Sequence, residues 1–449
     1  MVRIHEFVDE GLGHSSYVID LGDGTAATID PPRFPIAHET LAAHAGLRIT
    51  WTIDTHSHAD YVTGSPGLAA RLGATFVAPA ASHLATPHTP MRDGGRLDLS
   101  ANVTLVAIRT PGHTPDHHAY LLEADGVAVG LCTGGSLMVG TVGRTDLCGP
   151  DLTVPLAHEM YRSLHRFDCL SDDVVVYPTH GAGSFCSAPG AAERARTLGR
   201  ERATNPFLRT STEDAFVERL VAGFGTFPTY FARLPEVNRR GPRQYNAVPT
   251  LALLGVDAFA RQSAAGAVVV DVRPFAQFGR DHIPGSLSNT LRPVFAGWAG
   301  WIIEPHRPLL FVLDPDQDRV DLVRQCLDVG HEHLVGELDG GMAAWTASGR
   351  PHTTIRMVDV DHLGGTIVDV RQTNEYTTGH IPGTVNVELG AVTMAELPAG
   401  PLTMMCGHGE RAMTAASLLA AAGHLDVSVF DGGPDTWATV TGQPLDATP

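Results

Sequence analysis

Several features common in other classes of protein are missing from this sequence. It has no run of ~18 apolar residues, the length that a membrane-spanning helix needs, so we expect no membrane span. Its first residues, MVRIHEFVDEG, lack a basic stretch followed by an apolar core, so we expect no secretory signal. Positive charge is scarce, with 31 Lys and Arg against 49 Asp and Glu and a net charge of −18. Because phosphate binding needs clustered cations, this balance argues against a nucleic-acid partner.

Cysteine is also scarce, and its spacing excludes two further kinds of site. The six cysteines form neither a CxxC pair nor a disulfide-like framework. We therefore expect free thiols in a reducing cytoplasm. What the sequence does have is ample material for globular cores, with 43% hydrophobic and 18% charged residues. Its 449 residues suggest about three domains, at roughly 150 residues each.

The carboxyl-terminal half contains an internal repeat. VVDVRPFAQFGRDHIPG, from Val269, and IVDVRQTNEYTTGHIPG, from Ile367, share DVR and HIPG at the same spacing. Each copy covers roughly 100 residues, the size of a small α/β domain. Short apolar runs alternate with helix-like stretches in both copies, which predicts parallel sheets with crossover helices. We place the two domains at residues 245–352 and 356–449.

Residues 1–235 form the remaining predicted domain. Short β-branched strands such as ITWTID and VVVYP recur between Gly- and Pro-rich turns, with few long helices, which predicts a layered α/β domain. A helix followed by a Pro- and Arg-rich stretch, at 209–242, is the predicted linker.

Four histidines in this domain stand where predicted strands end. His56 and His58 belong to THSHADY directly after one strand, His113 lies in RTPGHTPDHH after another, and His180 ends VVVYPTH. Alternate residues of an extended segment point the same way, so two imidazoles of THSHADY can converge on one ion. Strand ends that enter Gly-rich loops are where ligands gather at a sheet edge. The pattern therefore predicts a metal site.

These motifs carry a family resemblance. THSHADYVTGS, TPGHTPDHHAYLL, VGRTDL and YPTHGAGSFC resemble the metallo-β-lactamase superfamily, and most closely its persulfide dioxygenase branch. The two downstream repeats resemble rhodanese domains, and the combination is similar to persulfide dioxygenases fused to rhodaneses. The resemblance implies an α/β chain with an αββα sandwich followed by two rhodanese-like α/β domains with parallel sheets.

The resemblance also implies a mononuclear Fe(II) centre whose ligands are His56, His113 and an aspartate. Two histidines and one carboxylate would leave three positions open for a persulfide sulfur and O2. This sequence departs from the family at the aspartate, because LCTGGSLMVG has Gly135 in its place. It also has Tyr61 where the superfamily motif HxHxDH has its last histidine, which removes a position that dinuclear hydrolases need.

Three outcomes stay open for the incomplete ligand set. His58 could complete a three-histidine site for Fe or Zn. Asp60 or Asp116 could supply the missing carboxylate, with His180 as a further candidate ligand. Alternatively, the site could hold no metal and the domain could serve as a scaffold.

Other residues of this domain have competing interpretations. Arg144 resembles an arginine near the thiol-substrate pocket of the family, and its alternative role is an ion pair with Asp146. Cys186 resembles a substrate-positioning cysteine of similar fusion enzymes, and its alternative role is that of a small buried residue. His117 and His118 are adjacent on a predicted strand, so at most one of them could reach a metal.

The second repeat contains a candidate nucleophile. Cys406 ends the apolar strand PLTMMC and is followed by Gly407, His408 and Gly409, before Arg411 at the start of an Ala-rich helix. This matches the rhodanese loop CxxGxR. Such a loop directs backbone N–H groups inward at a helix amino terminus, which stabilises a thiolate and lowers the pKa of a cysteine. The sequence predicts Cys406 as the carrier of sulfane sulfur and Arg411 as the residue that holds an anionic donor or acceptor.

The first repeat provides an internal comparison. LLFVLDPDQDR places Asp314 where Cys406 stands in the second copy, and a carboxylate cannot carry a sulfane sulfur. Pro315 removes one N–H from the loop. Cys326 falls within the following predicted helix. We interpret this copy as non-catalytic.

The leading hypothesis from the sequence is a cytoplasmic sulfur-metabolism enzyme. It would oxidise a low-molecular-weight persulfide to sulfite at a mononuclear iron and transfer sulfane sulfur through Cys406, with sulfite or thiosulfate as a partner. One alternative is a sulfurtransferase whose metal domain has become a binding or assembly module. Another is a Zn-dependent thioester hydrolase of the glyoxalase II type, which Tyr61 and Gly135 disfavour. Either half is compatible with a homo-oligomer.

Overall fold

The computed structural model describes residues 2–186 and 193–447. The chain forms two compact units, Met1–Val248 together with Arg324–Gly330, and Pro249–Val323 together with His331–Pro449. None of the helices in the described ranges has the length and hydropathy that a bilayer span requires.

Two six-stranded sheets form the centre of the first unit. The first sheet consists, in order across it, of β1 (Arg3–Asp9), β2 (His14–Asp20), β3 (Thr25–Ile29), β4 (Arg48–Ile53), β5 (Thr75–Pro79) and β6 (Thr89–Met91). The next strands are β7 (Arg96–Ser100), β8 (Val103–Arg109), β9 (His118–Ala124), β10 (Val127–Gly134), β11 (Leu137–Met138), β12 (Thr141–Val142), β13 (Val175–Pro178) and β14 (Arg196–Thr197). Apart from the β11–β12 hairpin, they form the second sheet in the order β14-β13-β10-β9-β8-β7.

Apolar side chains hold the two sheets of the first unit together. Along β8, residues Val103, Leu105 and Ala107 are buried while their neighbours are partly exposed, the alternation expected of a strand with one face in a core. They pack with side chains of the first sheet such as Ile53 and Val77. The core between the two sheets is therefore formed by alternate side chains of the strands, which point to the same face.

Helices cover the outer faces of this sandwich. They are α1 (Ile36–His44), α2 (Ser65–Leu72), α3 (Pro150–His165), α4 (Leu198–Thr204), α5 (Glu213–Ala222) and α6 (Leu234–Arg240). Residues of α1 and α2 pack on the first sheet, and residues of α3 and α5 pack on the second. This is the αββα arrangement, so the predicted fold class of the first domain is confirmed.

Two parts of this unit differ from the sequence-based expectation. The longest helix described, α3, was not predicted from the sequence; it contains Pro155, and Leu156, Met160 and Leu164 form one buried stripe along it. The stretch 209–242, predicted as a helix and linker, contributes α5 and α6 to the first unit. Burial of Phe216 and Leu220 in the core on the outer face of the second sheet explains why this stretch folds as part of the domain.

The second unit contains two five-stranded sheets. Their strands are β15 (Leu253–Leu254), β16 (Val268–Asp271), β17 (Leu287–Ser288), β18 (Leu309–Val312), β19 (Leu334–Leu338), β20 (Arg356–Val358), β21 (Thr366–Asp369), β22 (Val385–Asn386), β23 (Leu402–Met405) and β24 (Val427–Phe430). The orders are β15-β19-β18-β16-β17 and β20-β24-β23-β21-β22, which are the same topology. Every pairing in both sheets is parallel, as the sequence predicted.

Crossover helices connect these parallel strands. They are α7 (Val256–Ala264), α8 (Phe275–Arg280), α9 (Phe295–Ile302), α10 (Arg319–Asp328), α11 (Gly341–Ala347), α12 (Thr373–Thr378), α13 (Glu410–Ala421) and α14 (Pro434–Thr441). In both repeats, the strand that occupies the middle of the sheet leads through a short loop into a helix, β18 into α10 and β23 into α13. That loop is the position of the candidate cysteine in the second repeat.

Candidate functional site

Three histidines from separate loops meet in the first unit. His56 follows β4, His113 follows β8 and His180 follows β13. Their ring centroids lie 5.1 Å apart for His56 and His113, 5.5 Å for His56 and His180, and 5.3 Å for His113 and His180. All three are at most 2% exposed. One ligating atom of each lies within 4.8 Å of those of the other two.

Hydrogen bonds define which nitrogen of His113 and of His56 is bare. Nδ1 of His113 lies 2.8 Å from the backbone oxygen of Arg144, which can only accept, so Nδ1 carries the proton. Nδ1 of His56 lies 2.8 Å from Oγ1 of Thr55, whose own proton is donated to Oδ2 of Asp30. The Nδ1 of His56 is therefore also the donor. Both rings present an unprotonated Nε2, the form that binds a metal.

The Nε2 atoms of His56, His113 and His180 are buried and have no hydrogen-bond partner among the described residues. Leaving one buried polar atom unpaired costs about 1–3 kcal/mol. Burial, followed by the neighbouring imidazoles, lowers the pKa of His56, and burial together with His180 lowers the pKa of His113 to about 3. The neutral imidazoles of His56 and His113, together with the bare Nε2 of His180, fit a transition-metal ion.

His58 is turned to a different partner. Its Nε2 lies 3.0 Å from Oδ1 of Asp30, and both side chains are completely buried. Burial alone would raise the pKa of Asp30, but the charge of His58 and several hydrogen bonds lower it to about 2. Burial alone would lower the pKa of His58, but Asp30 raises it to about 9. A ligating atom of His58 groups with Asp60 and His180, and not with the pair His56 and His113 that the sequence assigned to it.

The two candidate carboxylates have different surroundings. Oδ2 of Asp60 lies 3.2 Å from Nδ1 of His180 inside the cluster. Asp116 lies outside it, because its Oδ2 accepts from the backbone N–H and hydroxyl of Ser57, at 3.0 and 2.7 Å, and from the hydroxyl of Ser82 at 2.6 Å. Asp116 therefore braces loops, and its candidacy as a metal ligand is not supported by its contacts.

The position of the missing aspartate is filled by imidazole rings. The backbone N–H of Gly135 donates to Nε2 of His117 at 2.9 Å. A Cβ built on Gly135 would lie 2.2 Å from Cδ2 of His113. His117 also bonds to Oγ1 of Thr110 through Nδ1, at 2.8 Å, so both of its ring nitrogens are occupied. Sequence reasoning missed this role of His117, because no local pattern indicates it.

Tyr61 stands at the position of the last histidine of the superfamily motif, the second point at which this chain departs from it. It is 1% exposed, and its hydroxyl donates to the backbone oxygen of Asp30 at 3.1 Å. Its ring stacks on His14 with a centroid distance of 4.0 Å. The ring of Tyr61 thus packs on His14, and its hydroxyl is used in a hydrogen bond to the backbone.

Arg144 and Cys186 flank the cluster in structural roles. The guanidinium of Arg144 pairs with both oxygens of Asp146, at 2.7 and 2.8 Å, and donates to the backbone oxygens of Phe185 and Gly225. The ion pair that was the alternative interpretation of Arg144 is therefore present. Cys186 is fully buried, and burial, with Asp60 nearby, raises the pKa of its thiol. Contact of either residue with a substrate stays a prediction.

The second unit places Cys406 at the predicted loop. It directly follows β23, is 2% exposed, and accepts a hydrogen bond on Sγ from the backbone N–H of Gly409 at 3.1 Å. Gly409 has a φ of +90°, and a Cβ there would lie 2.7 Å from the ring of Phe275. Glycine is needed at this position both for the conformation and for the close approach. Of the other predicted loop residues, Gly407 is partly exposed and His408 is exposed.

Arg411 is engaged by a neighbouring carboxylate. Its Nη1 and Nη2 donate to Oε2 and Oε1 of Glu375, at 2.6 and 2.8 Å. The guanidinium also lies 5.9 Å from the ring centroid of Trp298 in the first repeat. The preceding residue, Glu410, pairs with Arg292 of the first repeat at 2.5 Å. The predicted role of Arg411 in holding an anion stays a prediction, since the structure gives it a protein partner.

In the corresponding loop of the first repeat, side chains of the loop form hydrogen bonds with the backbone of Asp314. Oε1 of Gln317 accepts from the N–H of Asp314 at 2.9 Å, and Arg319 donates to the backbone oxygen of Asp314 at 2.8 Å. Cys326 lies in α10, fully buried, and burial raises the pKa of its thiol. This loop offers a carboxylate where the second repeat has its thiol.

Comparisons with known proteins agree with both halves of the molecule. The family model described as "Rhodanese-like domain" matches residues 256–348 and 355–439. A protein named hydroxyacylglutathione hydrolase, from Methylobacterium sp. (strain 4-46), is 32% identical over 267 residues, covering 54% of this chain and 100% of that protein. A mitochondrial protein of Homo sapiens named persulfide dioxygenase is 29% identical over 182 residues, covering 39% of this chain and 62% of that protein.

A solved structure resembles a larger part of the chain. The crystal structure named as a metallo-beta-lactamase from Staphylococcus aureus subsp. aureus COL has a TM-score of 0.66 and 24% sequence identity. The similarity covers 75% of this chain and 98% of that one. At this level of identity, the likeness concerns the fold.

Proposed function

The chain belongs to the metallo-β-lactamase superfamily and carries two rhodanese-like domains, and from this premise we propose that it is a sulfur-metabolism enzyme with two activities. One would oxidise a low-molecular-weight persulfide to sulfite at a single iron ion in the first unit. The other would transfer sulfane sulfur through Cys406 in the second unit. The observation that carries the proposal is the presence, in one chain, of convergent bare imidazoles and a cysteine in a short strand-to-helix loop.

The first activity depends on the histidine cluster. Persulfide, O2 and water would yield the free thiol, sulfite and two protons. When bound, Fe(II) supplies the redox chemistry of this conversion. The protein's contribution would be to hold His56 and His113 as neutral ligands, through Thr55 and the backbone oxygen of Arg144, within a buried site.

The second activity depends on Cys406. Its thiolate would attack the outer sulfur of a persulfide, form a new S–S bond and release the carrier thiolate, with the proton staying on the transferred sulfur. Sulfite would then attack that sulfur and release the Cys406 thiolate, giving thiosulfate and a proton. The N–H of Gly409 donates to Sγ of Cys406 at 3.1 Å, and Cys406 stands in the loop that leads into the amino terminus of α13, so backbone N–H groups hold the reacting sulfur in place.

Anaerobic purification followed by iron analysis and O2 uptake tests this proposal. Glutathione persulfide serves as the oxidation substrate, and thiocyanate formation from thiosulfate and cyanide reports sulfur transfer. We expect bound iron, rapid O2 uptake, and thiocyanate formation that Cys406→Ser abolishes and Cys169→Ser, at an exposed cysteine, leaves intact. Thiocyanate formation without O2 uptake would instead identify a sulfurtransferase whose first domain is a scaffold.

The relative named hydroxyacylglutathione hydrolase favours a second candidate, a metal-dependent thioester hydrolase. Two contacts oppose it: Tyr61 commits its hydroxyl to the backbone oxygen of Asp30, and Gly135 offers no carboxylate. Cleavage of S-lactoylglutathione by the zinc-loaded protein, without O2 uptake by the iron-loaded protein, would decide for the hydrolase.

A further inference from the structure

We propose that His180 has replaced the missing aspartate as the third metal ligand, so that the site in the first unit consists of His56, His113 and His180. This inference rests on the proposed metal-dependent function of that unit and specifies its ligands. The resulting site would be entirely imidazole, with no carboxylate bound to the ion.

The first argument is the geometry of the three rings. Their centroid distances of 5.1, 5.5 and 5.3 Å form a nearly equilateral triangle. Each of His56, His113 and His180 has an Nε2 without a hydrogen-bond partner in the part of the chain that the structure describes. Rings that met for packing alone would turn at least one of these nitrogens toward a donor or acceptor, because burial of an unpaired nitrogen is unfavourable.

The second argument is the oxygen that faces the remaining nitrogen of each ring. Nδ1 of His56 faces the hydroxyl of Thr55 at 2.8 Å, and Nδ1 of His113 faces the backbone oxygen of Arg144 at 2.8 Å. Nδ1 of His180 lies 3.2 Å from a carboxylate oxygen of Asp60, which is an ion-pair contact without the geometry of a hydrogen bond. Metal-binding histidines typically have such an oxygen behind them, which orients the ring and leaves the other nitrogen for the ion. We assign Asp60 to the positioning of His180.

The third argument is that the original carboxylate position is closed. The ring of His113 lies within 2.2 Å of a Cβ built on Gly135, and the N–H of Gly135 is taken by His117. A side chain at residue 135 would collide with a ligand of the site.

His58 is the competing third ligand. Its Nε2 is held by Asp30 at 3.0 Å, and its Nδ1 is buried without a hydrogen-bond partner among the described residues. A ligating atom of His58 groups with those of Asp60 and His180, and one also groups with those of Asp30 and Asp54. A site of the first composition would use Asp60 as a ligand and would leave His56 and His113 outside. The two sets share His180, so substitutions of the unshared residues distinguish them.

The all-imidazole set has a consequence for the substrate. Three neutral ligands leave the full charge of a divalent ion uncompensated, whereas the aspartate would have offset one unit. Such a site favours an anionic sulfur ligand, a thiolate or persulfide anion, over a neutral thioester.

Metal titration of the full-length apoprotein tests the assignment, with Co²⁺ as a spectroscopic probe and affinity as the readout. We expect one ion per chain, and at least ~100-fold weaker affinity in His56→Ala, His113→Ala and His180→Ala, more than the ~10–100-fold typical of losing an orienting partner. His118→Ala is the matched control, since His118 is a buried histidine of the same unit whose Nδ1 faces the backbone oxygen of Asp116. Its affinity should stay within about threefold of the unmodified protein. Far-ultraviolet circular dichroism and urea denaturation verify that each variant is folded.

Three results would overturn the assignment. Unchanged affinity in His180→Ala would remove His180 as a ligand while leaving the proposed function intact. Strong loss in His58→Ala and Asp60→Ala, with His56→Ala and His113→Ala unaffected, would establish the competing set. An apoprotein that binds no Co²⁺ or Fe²⁺ at all would overturn both the assignment and the proposed oxidation.

Discussion

At the scale of single residues, Asp30 organises the histidine cluster more than any ligand does. It is completely buried, with a φ of +49°. Its carboxylate accepts from the backbone N–H of Thr55 at 2.7 Å, from Nε2 of His58 at 3.0 Å and from the hydroxyl of Thr179. Its backbone oxygen accepts from Tyr61. One residue thereby connects the loops that carry His56, His58 and His180.

Gly135 provides the first prediction at this scale. Gly135→Asp, which restores the carboxylate of the family, should destabilise the protein and weaken metal binding, because the new side chain would displace the ring of His113. Forcing extra atoms into a packed site typically costs 1–3 kcal/mol, about the loss we expect in urea denaturation. Gly225→Asp is the control, since a Cβ there has no atom within 4 Å. Tighter Co²⁺ binding by Gly135→Asp would contradict the closed site.

Glu375 provides a prediction about pH. Burial alone would raise the pKa of Glu375, but its hydrogen bonds to Arg411 and the charge of Arg411 hold it below the ordinary value of 4.5. The ion pair therefore contributes stability above about pH 4.5, and this contribution is lost as the pH falls through the depressed pKa of the folded state. Glu375→Gln should be less stable than the unmodified protein at pH 7, and the difference should shrink towards pH 3.

Urea denaturation across this pH range measures the effect of Glu375→Gln. The exposed residue Glu396 gives a control in the same repeat, and Glu396→Gln should follow the unmodified protein at every pH. A difference for Glu375→Gln that stays constant down to pH 3 would mean that the ion pair does not stabilise the folded state.

At the scale of elements, the two repeats have the same topology and different active loops. The first repeat nevertheless reaches the loop of the second: Phe275 of α8 contacts Gly409, and Trp298 of α9 lies over Arg411. The same two side chains pack against the core that contains Cys406. The first repeat therefore forms one wall around the Cys406 loop of the second.

Trp298 tests this role of the first repeat. Trp298→Ala should lower kcat/KM for thiocyanate formation by roughly 5–30-fold, which corresponds to about 1–2 kcal/mol of lost positioning of Arg411. Trp298→Phe retains an aromatic face and should recover most of the rate. Equal rates for the two variants, or a loss that tracks only with global unfolding, would show that Trp298 has no part in the loop.

At the scale of the whole molecule, each candidate site is built within one compact unit. The metal cluster comes from residues of the first unit, and Cys406, Glu375 and Arg411 all belong to the second. The comparisons also divide the chain in two: relatives of the metallo-β-lactamase superfamily match one part of it, and the rhodanese-like family model matches residues 256–348 and 355–439. Under the proposed function, two sites in one chain would raise the effective concentration of a shared intermediate.

Because the two candidate sites belong to different units, we expect that a substitution at one site affects only one of the two proposed activities. His113→Ala should abolish O2 uptake with glutathione persulfide and leave thiocyanate formation within about twofold, because His113 contributes only to the first unit. Cys406→Ser should have the opposite effect. Loss of both activities in either properly folded variant would contradict two independent sites.

The sequence by itself determined the architecture and singled out most of the candidate site residues. Strand periodicity and the repeated DVR and HIPG motifs are local signals, so they predicted the layered first domain, the parallel sheets and the loop at Cys406. Only the tertiary structure decided how those groups are used. The turn of His58 toward Asp30, the occupation of the space at Gly135 by His113, and the pairing of Arg411 with Glu375 join residues far apart in the chain. Such contacts depend on distances of a few ångströms between separate loops, which no spacing along the sequence encodes.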